Sequence, residues 1–166
     1  MSNKKSVAII GCGVFGAMAA IKIAENNFNV TVFETKNECL KGASYNNQNR
    51  LHLGFHYPRD IETARQCIKG FNRFKQEFPE CISSDFSNLY FIANENSATS
   101  LEQYQVFCSK LGVYFELISE DEIPIIVSNA SQPILCKEEV YDCNILRNLI
   151  KNRLNKSGAI LKNNIK

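Results

Sequence analysis

Val7-Ala8-Ile9-Ile10-Gly11-Cys12-Gly13-Val14-Phe15-Gly16, followed eighteen residues later by Glu34, decides how this chain begins. Val7 to Ile10 is a short apolar run of the kind that forms a buried parallel strand. Val14, Ala17, Met18, Ile21 and Ala24 then recur at helical spacing, and Val30, Val32 and Glu34 recur at a strand's period of two. Strand, glycine turn, helix and acid-terminated strand together form the cradle for the ADP half of a dinucleotide. Gly11 permits the tight turn, Gly13 lets backbone approach a diphosphate, and Gly16 lets helix and sheet pack closely. Val14 and Phe15 open the helix, whose free N–H groups and dipole favour an anion. Glu34 is placed to accept hydrogen bonds from the adenosine ribose. A glycine-rich turn in an unrelated α/β protein is the bland alternative.

Composition narrows the class. The chain has 166 residues, 45% hydrophobic and 22% charged, with a net charge of +2. That is ordinary for a globular domain and gives no reason to expect a nucleic-acid partner. Seven cysteines are odd in number, scattered, and contain no CxxC pair. Free thiols in a reducing cytoplasm are the expectation, and no zinc site is expected. Lys4-Lys5 before an apolar stretch imitates a secretory signal, but three glycines at fingerprint spacing and Lys22 fit strand–turn–helix better. No run is long and apolar enough for an integral membrane span.

Beyond Glu34, residues 35–57 read as one long polar loop. Arg59 to Phe78 reads as a helix with Pro58 in its first turn, stopped by Pro79. Its stripe of Ile61, Ala64, Ile68, Phe71, Phe74 and Phe78 is expected in the core. A strand from Phe86 to Ala93, a helix over 101–111 ended by Gly112, and strands over 113–118 and 134–140 follow. Asp142 caps a helix to about Lys156, with Ile145, Leu146, Leu149, Ile150 and Leu154 facing inward and Gly158 closing it. A strand begins at Ala159. The expected fold is α/β: a Rossmann-like cofactor-binding unit interrupted by part of an α+β substrate domain. The expected boundaries are 1–80 for the first unit with its loop at 42–57, 81–140 for the partial substrate domain, and 141–166 for the return. The ending after one helix and strand reads as a C-terminal half that is absent, so the chain is expected to be the first part of a longer enzyme.

A second motif runs from Gly42 to Tyr57, through Ser44, Asn47, Gln48, Arg50, His52, Gly54 and His56. Hydroxyl, amide and imidazole groups alternate here with glycine hinges, as a loop against an extended cofactor would require. The stretch Leu51-His52-Leu53-Gly54 with Tyr57 resembles the flavin-contacting segment of the D-amino-acid oxidase-like family of FAD-dependent oxidoreductases. It is most similar to the L-2-hydroxyglutarate and glycerol-3-phosphate dehydrogenase branches, and Ala64 and Cys67 fit the former. Two positions depart from those branches: Asn46 stands where the second has an arginine, and Asn49 replaces a glycine common in the first.

The resemblance implies FAD as cofactor and a small, carboxylate-bearing substrate whose amine or hydroxyl C–H loses hydride to flavin N5. It implies cofactor contacts from Gly11, Gly13, Val14, Phe15, Gly16, Glu34, Ser44, Asn47, Gln48 and His52. As ordinary loop residues, Ser44, Asn47 and Gln48 would instead close Asx- and Ser-type turns. His52, Arg50 and Tyr57 are the candidates near the reacting centre. Arg50 and Arg59 have the guanidinium fork that receives a carboxylate, although exposed arginine is the commoner case. His52 and His56 are four apart in an extended segment with no acidic partner beside them, so no metal site is expected. The competing classes are a nicotinamide-dependent dehydrogenase and a non-catalytic nucleotide-binding remnant. No motif identifies the electron acceptor.

Overall fold

The structure is a computed structural model and describes residues 4–85 and 88–166. In chain order its elements are β1 (Ser6–Ile10), α1 (Val14–Glu25), β2 (Asn29–Phe33), α2 (Ala43–Asn46), β3 (Arg50–Leu51), α3 (Ile61–Glu77), β4 (Ile82–Ser83) and β5 (Asn88–Tyr90). They continue with α4 (Leu101–Leu111), β6 (Phe115–Leu117), β7 (Ile134–Cys136), β8 (Glu139–Tyr141), α5 (Cys143–Ser157) and β9 (Ile160–Lys162). The chain divides into two compact units, residues 1–49 with 141–166, and residues 50–140.

In the first unit β1, β2 and β9 form a parallel sheet in that order. Ser6 pairs with Asn29 and Thr31 with Ile160. Both steps across the sheet run in one direction, and right-handed crossovers then place the connecting helices on one face. Accordingly α1 packs on α5. Ala17, Ala20 and Ile21 of α1 and Leu146, Ile150 and Leu154 of α5 are buried over Val30 and Val32. Burial of that many aliphatic side chains, each worth about 1.5–3 kcal/mol, is what holds the layer together. Ile145 is 41% exposed, contrary to expectation, because the buried stripe of α5 steps by four from Leu146 and leaves it on the flank. Arg147 is buried instead, donating Nε–H to the Cys39 carbonyl at 3.1 Å, with its guanidinium over the Tyr45 ring.

The segment 35–57 is not one loop. It holds α2 and β3, and the chain crosses into the second unit at Arg50. Asn49 takes φ 53°, the left-handed region, and its N–H donates to Asn47 Oδ1 at 2.8 Å. Asparagine tolerates this conformation and glycine adopts it freely, so the backbone here suits either residue.

The second unit contains the sheets β3-β8-β4 and β5-β7-β6. Its core gathers Phe55, Ala64, Tyr104, Phe107, Cys108, Ile134 and Cys136, and the Tyr104 hydroxyl donates to the Phe55 carbonyl at 2.9 Å. The boundary falls after residue 49 rather than 80 because α3 packs on α4, within this unit. Helix α3 starts at Ile61, later than Pro58 suggests, because Asp60 caps it by accepting from the Thr63 N–H at 3.0 Å. Of its aromatic stripe Phe78 is buried, whereas Phe71 and Phe74 are only half-buried. The strand expected over 134–140 is two strands, β7 and β8, separated by Lys137 and Glu138. Phe86, the expected start of the preceding strand, lies outside the described residues; β5 is described from Asn88.

Candidate functional site

The glycine turn of the first unit is built as a strand-to-helix hinge. Gly11 has φ 90°, and its N–H donates to the Phe33 carbonyl at 2.7 Å, tying the turn to the end of β2. A Cβ on Gly16 would lie 2.1 Å from the Gly11 carbonyl oxygen, so the third glycine is set by contact between turn and helix. A Cβ on Gly13 would meet nothing within 4 Å. Gly13 is also the N-cap of α1, and no side chain caps that helix, whereas Asp60, Ser100 and Asp142 cap α3, α4 and α5. The start of α1 therefore combines open space with amide donors that no side chain satisfies, the arrangement a bound diphosphate needs. Val14 is half-buried and Phe15 is 92% exposed at this end.

Glu34 turns back to the same turn. Its Oε2 accepts the Cys12 N–H at 2.7 Å, and its Oε1 accepts the Lys36 N–H at 2.9 Å and the Thr35 hydroxyl at 3.2 Å. Desolvation pushes the carboxyl pKa up, but the amides of Lys36 and Cys12 and the Thr35 hydroxyl outweigh it and hold Glu34 below the usual glutamate value. It is thus a carboxylate with acceptor capacity to spare, next to the turn. Beside it, Cys12 and Cys39 are wholly buried, and their mutual interaction pushes the Cys12 thiol pKa up and the Cys39 thiol pKa down. None of the seven cysteines is in a disulfide, and six are buried. These features fit the ADP portion of FAD on their own geometry.

Of the other expected cofactor residues in this unit, Ser44 is half-buried, and its carbonyl accepts from the Tyr141 hydroxyl at 3.4 Å and the Cys143 thiol at 3.1 Å. Asn47 uses its side-chain oxygen for the turn to Asn49, and Gln48 is exposed.

The second unit contains a cluster that the sequence does not announce, centred on Glu138. That carboxylate is buried. Its Oε2 accepts from Arg50 at 2.9 Å and from the Tyr90 hydroxyl at 2.7 Å, and its Oε1 accepts the Leu53 N–H at 2.8 Å. Arg50 also reaches Asn88 Oδ1 at 2.9 Å and the Tyr90 oxygen at 3.2 Å, so its guanidinium is engaged within the unit. Nδ1 of His52 is buried, lies 3.6 Å from Glu138 Oε1 and has no partner within hydrogen-bond range among the described residues. His56 Nε2 is 3.1 Å from the Tyr90 oxygen, and the two imidazoles meet edge to face at 4.7 Å. Burial raises the Glu138 pKa, but His52, Tyr90, the Leu53 amide and the Arg50 charge overcome it and keep the carboxyl below its usual value. Desolvation, helped by His52 and Arg50 against the pull of Glu138, lowers the His56 pKa. Tyr57 is 42% exposed, and Arg59 is exposed.

The histidine pair therefore has an acidic partner after all, supplied from 86 residues away in sequence by Glu138. Among the described residues, donor atoms of His52, His56 and Glu138 lie within 4.8 Å of one another. Arg50 and Tyr90 donate to one oxygen of Glu138 and the Leu53 N–H to the other, so its negative charge is already met by a guanidinium. No helix of the described residues is long and apolar enough to cross a membrane.

A family model described as DAO, FAD dependent oxidoreductase, matches residues 6–161. The chain is 35% identical over 123 residues to the FAD-dependent monooxygenase FPY4 of Fusarium mangiferae, covering 74% of this chain and 33% of that protein. It is 34% identical over 76 residues to the L-2-hydroxyglutarate dehydrogenase of Indibacter alkaliphilus, covering 43% of this chain and 19% of that protein. Among solved structures, the L-alpha-glycerophosphate oxidase of Mycoplasma pneumoniae superposes with a TM-score of 0.74 at 15% identity, over 99% of this chain and 45% of that one. The chain thus spans a third or less of these curated relatives and just under half of that structural neighbour.

Proposed function

The chain belongs to the DAO family of FAD dependent oxidoreductases, and from that premise we propose that its first unit holds the ADP portion of FAD for the oxidation of a small substrate. The amide groups at Gly13–Gly16 and the start of α1 take the diphosphate, and Glu34 accepts from the ribose. Ser44, Asn47 and Gln48 are the further polar groups offered to the cofactor in that unit. When bound, FAD supplies the chemistry, accepting hydride from a C–H bond next to an amine or hydroxyl. His52 is the chain's candidate proton acceptor for that amine or hydroxyl and Tyr57 a candidate pocket wall. Arg50 is committed to Glu138, which leaves Arg59 as the exposed guanidinium for a substrate carboxylate. The observation that carries the reading is the open, uncapped start of α1 with Glu34 bonded back to its turn.

The test is titration of FAD, ADP and NAD into the chain, followed by flavin fluorescence or calorimetry. FAD and ADP should compete for one site, and Gly13→Asp should abolish both by placing a side chain and a negative charge against the diphosphate. Tighter binding of NAD than FAD, or an unchanged affinity in Gly13→Asp, would overturn the assignment. A second reading, insertion of oxygen into the substrate, is supported by the name of the Fusarium relative. Isotopically labelled dioxygen separates the two, since only insertion leaves label in the product.

A further inference from the structure

We propose that Glu138 is a positioning residue that fixes the tautomers of both histidines, His52 and His56, and thereby presents the unprotonated Nε2 of His52 to the substrate. The last clause rests on the function proposed above; the tautomers themselves do not.

Counting protons around Tyr90 forces one half of the arrangement. Its single hydroxyl proton goes to Glu138 Oε2 at 2.7 Å, because an ionised carboxylate has no proton of its own to place between two oxygens that close. Arg50 Nη2, 3.2 Å from the Tyr90 oxygen, offers only donors and cannot take that proton. The remaining neighbour, His56 Nε2 at 3.1 Å, must therefore be a donor. Neutral imidazole carries one N–H, so His56 is the Nε2–H tautomer with Nδ1 free. A buried carboxylate has thus set the tautomer of a histidine that it does not touch.

The other half follows from repulsion. His52 Nδ1 is buried and faces Glu138 Oε1 at 3.6 Å. If Nδ1 were unprotonated, its lone pair would face a carboxylate oxygen, and a buried acceptor would stand without a donor. With the proton on Nδ1 the same contact becomes attractive, and a shift of about half an ångström closes a hydrogen bond. Nε2 is then the acceptor, on a side chain that keeps 41% of its area exposed. Histidine in water prefers the opposite, Nε2–H form, so this choice is imposed by the site. In the proposed oxidation the proton leaving the substrate hydroxyl or amine forms the Nε2–H bond. Bound FAD would supply the acceptor for the hydride of the neighbouring carbon.

The experiment is long-range proton–nitrogen NMR of the imidazole rings in the nitrogen-15-labelled chain, with no flavin or substrate added and with circular dichroism as the check on fold. The expected result is Nδ1–H for His52 and Nε2–H for His56. Tyr90→Phe removes only the hydroxyl relay, so His56 should lose its fixed tautomer while His52 keeps its own. Glu138→Gln has one oxygen and one NH2 where the protein needs two acceptors. Whichever way the amide turns, an NH2 meets either His52 or the Tyr90 relay, and at least one imidazole must invert. Nε2–H as the major form of His52 in the unmodified chain would overturn the proposal. So would an unaltered His56 in folded Tyr90→Phe, or two unaltered rings in folded Glu138→Gln. Should Glu138→Gln fail to fold, the unmodified chain and Tyr90→Phe still decide. Because no cofactor is present, failure of FAD binding and failure of the tautomer assignment are read separately.

Discussion

Alanine at Gly16 and alanine at Gly13 should have opposite effects, although the two glycines are three residues apart in one motif. A Cβ at position 16 would stand 2.1 Å from the Gly11 carbonyl oxygen and 3.2 Å from its carbon. Ordinary non-bonded contact needs about 3.5 Å, so turn and helix must separate by about 1.4 Å. The obstacle is backbone, held on one side by the Gly11 N–H to Phe33 bond and on the other by α1, so no side chain can swing away. Forced separation of this kind costs about 1–3 kcal/mol. With a urea dependence of about 2 kcal/mol per molar, the unfolding midpoint of Gly16→Ala should fall by about 0.5–1.5 M. At Gly13 the added methyl meets nothing within 4 Å and φ is −69°, which alanine adopts without strain. Restricting the unfolded chain should then leave Gly13→Ala equal to the unmodified protein or up to about 1 kcal/mol more stable. Its FAD affinity should drop, because the methyl occupies the space offered to the diphosphate. Urea melts followed by far-ultraviolet circular dichroism give the first quantity and flavin titration the second. Equal midpoints for Gly16→Ala and the unmodified chain, or a midpoint for Gly13→Ala as low as that for Gly16→Ala, would refute the reasoning.

Asn49, at φ 53°, should tolerate glycine with no loss of stability, whereas Asn49→Val should lose about 1–2 kcal/mol in the same melts, the cost of holding a β-branched residue in the left-handed region. Glu34 has a folded-state pKa below its ordinary 4.5, so it binds its proton more weakly folded than unfolded. Its stabilisation is complete above that ordinary value and drains away as pH falls through the lowered one. Glu34→Gln should therefore melt lower than the unmodified chain at pH 7, by roughly 1–2 kcal/mol for a carboxylate bonded to two amides. The gap should narrow below about pH 4.5, and a gap that widens on acidification would contradict the sign.

The first unit was legible wherever its signal was local. Three glycines, a helical repeat and a strand ending in Glu34 lie within about thirty residues, and each constrains backbone that its immediate neighbours complete. The same locality explains the cap at Asp142 and the left-handed ends at Gly112 and Gly158. Errors came where packing overrode propensity. Ile145 looked inward by composition, yet Arg147 takes the buried position because the Cys39 carbonyl and Tyr45 ring satisfy its guanidinium. Residues 134–140 looked like one strand because nothing in their alternation marks a break at Lys137 and Glu138. The Phe71–Phe74 stripe is periodic, but both rings are only part-buried.

Glu138 was invisible for a different reason. A glutamate between Lys137 and Glu139 reads as solvated charge, since carboxylates are almost never buried without partners. Its partners, Arg50, Leu53 and Tyr90, lie 48 to 88 residues away and meet it only when β3, β5 and β8 are in place. A buried carboxylate bound by a guanidinium, a phenol and an amide is costly to assemble, and a similar apolar cluster would serve stability as well or better. Stability alone therefore gives no reason for this arrangement. Fixing which nitrogen of His52 is left bare does give one, because an apolar residue at position 138 would leave that imidazole free to adopt the tautomer it prefers in water.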